Sequence, residues 1–122
     1  MEEKKKRQKK QRVSRVIIIL AVCLVFMVAF NNKYKIYRVN GESMQPELFS
    51  GDFVIVEDES FNELNIGDVI VYKSSDKNYI IHRIVYIESD SGKLLVKGDN
   101  NERIDREPVT MYNYIGKVVY VL

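Results

Sequence analysis

The chain has 122 residues, 46% hydrophobic and 30% charged, which suits one folded domain and excludes a disordered chain. Its net charge of +2 is unevenly placed: residues 1–15 hold eight Lys/Arg against Glu2 and Glu3, for +6, while residues 16–122 carry −4. Bases gathered in one terminal run, ahead of a mildly acidic body, argue against a nucleic-acid binder, which spreads them over a folded face. Taken alone, the run 1–15 reads as readily as a solvated tail.

The next segment decides how that run is read. Val16 to Phe30, "VIIILAVCLVFMVAF", carries no charge and no strong polar group. As a helix it spans roughly 22 Å, short against a hydrocarbon core of ~30 Å. Val13 and Ser14 extend it, Arg15 can snorkel, and Tyr34 and Tyr37 suit the far interface. A cleaved signal peptide would need small residues after the core, and "MVAFNNKYK" has no Ala-x-Ala pattern. A buried core helix would show a polar stripe. The expectation is an uncleaved transmembrane anchor over residues 16–33. The positive-inside rule then makes residues 1–15 a basic cytoplasmic tail and 34–122 an extracytoplasmic domain, in a single-pass protein of the plasma membrane. The one cysteine, Cys23, lies in the apolar run, so no disulfide staples the body.

From Tyr34 onward, short β-branched and aromatic runs alternate with turn residues. "YKIYRV", "DFVIVE", "GDVIVYK", "NYIIHRIVYIE", "GKLLVKG" and "YIGKVVYVL" are the six predicted strands. "ESFNEL" predicts one helical turn, with Ser60 as cap and Glu63 three residues on. The fold class is mainly β: a small antiparallel domain, open or closed into a barrel, behind one N-terminal transmembrane helix.

Three constellations could carry chemistry, and each has a bland reading beside it. In "NGESMQP", Asn40-Gly41 is a strong hairpin signal, and Ser43 is either a turn residue or a nucleophile held on a bend. His82 is the sole histidine. It shares a strand face with Ile80 and Ile84, while Arg83 points oppositely with Ile81 and Val85. It is either a satisfied core residue or an acid/base. "KGDNNERID" is rich in oxygen ligands. Asp99 and Asn101 fit a calcium loop but Arg103 and Ile104 do not. A polar turn, or a carboxylate that orients a histidine, fits better.

Together, "GESMQPEL", "IIHRIV" and "KGDNNERID", in that order behind an anchor, resemble the type I signal peptidases, in particular their Ser-His branch. The resemblance runs from the anchor to about Val121. It implies Ser43 as nucleophile and His82 as general base where the usual bacterial enzymes have a lysine. Lys73 and Lys97 lie outside the motif. It implies Asp105 as the partner of His82 and Asp99 as a brace of the site. Gly41 stands where many bacterial relatives have a serine that helps the oxyanion, which leaves more to the Ser43 N–H. The implied reaction is hydrolysis of one peptide bond in a secreted preprotein, with small residues at the first and third positions before the cut. The implied partners are preprotein signal peptides and the lipid bilayer. No metal, cofactor or nucleic acid is implied, and accessory subunits are left open. Two other readings stand beside it: a non-catalytic anchored β-module that binds an extracytoplasmic partner, and a self-cleaving Ser-Lys domain like those of SOS repressors. The second lacks the DNA-binding helices that precede such domains.

Overall fold

A computed structural model describes residues 1–122. Two compact units divide it, Met1–Lys33 and Tyr34–Leu122.

The first unit is one helix, α1, Glu2–Lys33. The helix continues through the basic run, which is therefore not an unstructured tail. Lys and Arg are good helix formers, and Glu2 and Glu3 in the first turn oppose the positive end of the helix dipole. No residue of α1 is buried. Its apolar stretch leaves Ile17, Leu20, Leu24 and Phe26 more than half exposed, and it is long and apolar enough to cross a membrane.

The second unit is a six-stranded sheet: β1 Tyr34–Arg38, β2 Phe53–Glu57, β3 Val69–Lys73, β4 Tyr79–Ile87, β5 Leu94–Lys97 and β6 Tyr114–Val121. Every pairing is antiparallel, and the order is β1-β2-β6-β3-β4-β5. All six predicted strands form, within a residue or two at each end. The order leaves β1 and β5 as edges. The expected turn at "ESFNEL" is a single 3-10 turn, Phe61–Glu63. Ser60 caps it with its carbonyl, which accepts the Glu63 N–H, and not with its hydroxyl.

Alternation along the strands divides the buried side chains into two apolar layers. Leu64, Ile70, Tyr72, Ile84, Leu94, Val96 and Val109 form one. Val39, Met44, Leu48, Val54, Val56 and Val71 form the other. Ile70, Val71 and Tyr72 of β3 serve the layers alternately, which is why that strand reads as an unbroken apolar run. β6 slips register against both neighbours, at Ile55/Val56 and at Val71/Tyr72. Such bulges bend and twist a strand. Between them Gly116 lets β2 approach closely: a Cβ there would lie 2.6 Å from Val56 Cγ1 and 2.7 Å from the Glu57 carbonyl oxygen.

Candidate active site

Ser43 lies in the connection between β1 and β2, residues 39–52. Those strands form a hairpin, but Asn40-Gly41 is not its two-residue turn. The connection is closed at its base by Val39 N–H to Asp52 O, 2.7 Å, and Gly51 N–H to Val39 O, 2.8 Å. Gly41 takes φ +92°, where a side chain would be strained. The residues after it coil back on themselves, with Gln45 N–H donating to Glu42 O and Leu48 N–H to Met44 O. Met44 and Leu48, 2% and 1% exposed, plug the turn into the second apolar layer. The buried neighbour Met44 fixes where half-buried Ser43 stands.

The turn after β5 grips the same segment from the other side. Asn100 N–H donates to the Ser43 carbonyl at 2.8 Å, and Asn100 Nδ2 donates to Glu42 O at 3.1 Å. Asp99 N–H points to Met44 Sδ at 3.4 Å. Gly98 must be glycine, since a Cβ would fall 2.6 Å from the Ser43 carbonyl oxygen. Lys97 ties this turn together by donating to Gly98 O and Asn101 O. The Lys73 ammonium lies over the Tyr79 ring. Neither lysine is hydrogen-bonded to Ser43.

His82 and Arg83 are neighbours on β4 with opposite-facing side chains, and each takes one aspartate. His82 Nδ1 lies 2.5 Å from Asp105 Oδ2, and Nε2 lies 3.1 Å from Ser43 Oγ. Arg83 forms a two-pronged pair with Asp99, Nε–Oδ1 2.9 Å and Nη2–Oδ2 2.7 Å, and its Nη1 donates to Gly67 O. The structure thus brings Ser43, His82 and Asp105 together, while Asp99 joins strand, turn and arginine beside them. At 7% exposure His82 is buried. Asp105 is fixed through its backbone, whose N–H donates to Val96 O at 2.8 Å. Burial works against ionisation of the Asp105 carboxyl. The hydrogen bonds from His82 and Tyr72 outweigh it and hold the group below the ordinary carboxylate range. An ionised Asp105 can only accept, so Nδ1 carries a proton, and in the neutral imidazole Nε2 then presents a lone pair to the Ser43 hydroxyl.

Two contacts here were not visible in the sequence. The Arg83–Asp99 fork needed the β4/β5 register, although the opposite facing of His82 and Arg83 was a clue. The Tyr72 hydroxyl donates to Asp105 Oδ2 at 2.5 Å. Nothing in "GDVIVYK" marks Tyr72 as more than core.

The Asp99 carboxyl is held below its ordinary range by the Arg83 hydrogen bonds, against partial burial. A carboxyl whose folded pKa is depressed adds stability above its unfolded pKa and loses it as pH falls through the folded one. Asp99→Asn is therefore expected to cost about 1–2 kcal/mol at neutral pH, charge-assisted bonds being partly screened at this exposure. The gap to wild type should close in acid. Urea denaturation at several pH values measures it, and a gap that does not change with pH would contradict this role.

A cleft of about 280 Å³ opens beside the pair, lined by Tyr37, Val39, Ser43, Tyr79, Ile81 and His82 among others. Its walls are the end of β1 and the start of β4, with the Tyr37 and Tyr79 rings 5.6 Å apart. A larger hollow of about 370 Å³, lined by Asp68, Arg83 and Lys117 among others, contains none of the three grouped residues.

Comparison with known proteins adds a family to this geometry. The family model described as Peptidase S24-like matches residues 8–119. The chain is 36% identical over 83 residues to signal peptidase I W of Bacillus subtilis, covering 66% of this chain and 44% of that protein. It is 29% identical over 114 residues to the signal peptidase complex catalytic subunit SEC11C of Homo sapiens, covering 87% and 59%. With the SEC11 subunit of Verticillium alfalfae the identity is 41% over 69 residues, covering 53% and 40%. The chain spans about half the length of the curated relatives it matches.

Proposed function

We propose, for a chain that belongs to the Peptidase S24-like family and groups with the type I signal peptidases, that it is a serine endopeptidase removing signal peptides from secreted preproteins. The observation that carries this reading is the chain of contacts Ser43 Oγ–His82 Nε2–His82 Nδ1–Asp105. In it, His82 takes the Ser43 proton as Oγ attacks the scissile carbonyl, and returns it to the leaving amine. Asp105 keeps the imidazole in the tautomer with Nε2 free and steadies its positive charge. The Ser43 N–H meets the developing oxyanion, with Gly41 offering no side chain to help. Water then attacks the acyl-Ser43 ester by the same route. Asp99 braces the turn through Arg83 and takes no part in proton transfer.

The cleft between the end of β1 and the start of β4 would receive an extended peptide, with small residues at the first and third positions before the cut. Helix α1 would anchor the domain in a bilayer, for its exposed apolar stretch matches lipid, and the preprotein's apolar segment lies in the same phase. Residues 1–15 would then be cytoplasmic, and residues 34–122 would lie outside the plasma membrane. Two of these relatives are named as catalytic subunits of a signal peptidase complex, so accessory subunits belong to this proposal.

The test is incubation of the purified chain in detergent with a preprotein, followed by mass analysis. One cut after the signal peptide is expected. An uncut preprotein in the presence of folded protein would remove this reading.

A further inference from the structure

The first apolar layer contains a phenol that does more than fill space. Tyr72 on β3 is 1% exposed. Ile70 of β3 is paired with His82 of β4, and Tyr72 with Ile80. Tyr72 and His82 are therefore diagonal neighbours on one face of the sheet, a separation that long side chains can bridge. Asp105 lies against both. Its Oδ2 receives the Tyr72 hydroxyl and His82 Nδ1, each at 2.5 Å. A single carboxylate oxygen thus serves two donors that are fixed by adjacent strands. A core that needed only volume would hold phenylalanine, since a buried hydroxyl must find a partner.

We propose that Tyr72 is a positioning residue that governs His82 through Asp105: its hydroxyl holds the shared carboxylate oxygen in line with Nδ1 and withdraws part of its negative charge. This rests on the reading of Ser43, His82 and Asp105 as a hydrolytic unit. A carboxylate that already accepts a strong bond from Tyr72 stabilises the imidazolium less. His82 then stays available as the neutral base at lower pH. Burial and the bond to Asp105 raise the phenol's own pKa, so it remains a donor. The other charged groups near this set are Glu107, which acts on Tyr72, and Asp99, which acts on His82 from the Arg83 side. Neither is hydrogen-bonded to Asp105.

His82 is the sole histidine, so its titration can be followed by NMR in the whole chain in detergent without ambiguity. Tyr72→Phe keeps the ring and deletes one hydroxyl. Its His82 midpoint is expected to rise by roughly one pH unit. The acid limb of kcat/KM for preprotein cleavage should move up with it. Activity lost near neutrality should return in alkali, and KM should change little. A stronger donor, difluorotyrosine placed at position 72 alone, should move the midpoint the other way. A midpoint that stays put or falls in Tyr72→Phe overturns the proposal, as does a uniform loss of kcat at every pH. These results are distinct from failure of the peptidase reading, in which wild-type protein would not cleave at all while the NMR titration could still be made.

Discussion

Ser43→Ala is expected to reduce preprotein cleavage by about four to six orders of magnitude, and His82→Ala by a similar factor. Without Oγ there is no acyl-enzyme. Without the imidazole the hydroxyl keeps its proton and is a weak nucleophile. The double variant should be hardly worse than either single one, because groups that pass one proton along one path fail together. Neither change removes apolar burial from the two core layers, so circular dichroism should be unchanged. Progress curves with purified variants give the three rates. Single losses that multiply in the double variant would mean that the 3.1 Å contact between Nε2 and Oγ is not the catalytic one.

The second large effect separates the two aspartates. Asp105→Asn should cost about four orders of magnitude in kcat, since the amide can donate to Nδ1 and hold the wrong tautomer. Asp99→Asn should change kcat by a few-fold at most, because Asp99 bonds Arg83 and not His82. Measuring both variants on one substrate distinguishes the roles. A dead Asp99→Asn beside a nearly normal Asp105→Asn would exchange them. Normal rates in both would reduce the unit to Ser43 and His82.

The strands were legible because their residues face water on neither side or on one. "VIVYK" is buried on both faces, while "YIIHRIVYI" is buried at His82 and Ile84 on one face and half-buried at Ile81, Arg83 and Val85 on the other, and their β-branched runs say so. The end of α1 was less legible. Apolar residues marked only Val16–Phe30, and charged residues that face solvent all round leave no periodic trace, so the helical state of residues 2–15 had to come from propensity. Asn40-Gly41 pointed to a tight hairpin, but burial of Met44 and Leu48 holds open the longer connection that carries Ser43. The grouping of Ser43, His82 and Asp105 could be suggested by motif resemblance, because their separation in the chain says nothing about distance. Tyr72 and Arg83 could not be assigned partners at all. Those partners depend on cross-strand register and on the turn after β5, and neither is written in local pattern.

The central claim is that Ser43 is a nucleophile activated by His82. Its most direct measurement is mass-spectrometric mapping of the adduct formed with a serine-directed acylating probe, on wild-type chain and on His82→Ala. One adduct on Ser43 is expected in wild type, with labelling slowed by orders of magnitude in the variant. A folded wild-type chain that stays unlabelled, or one labelled at Ser43 equally fast without His82, would contradict it.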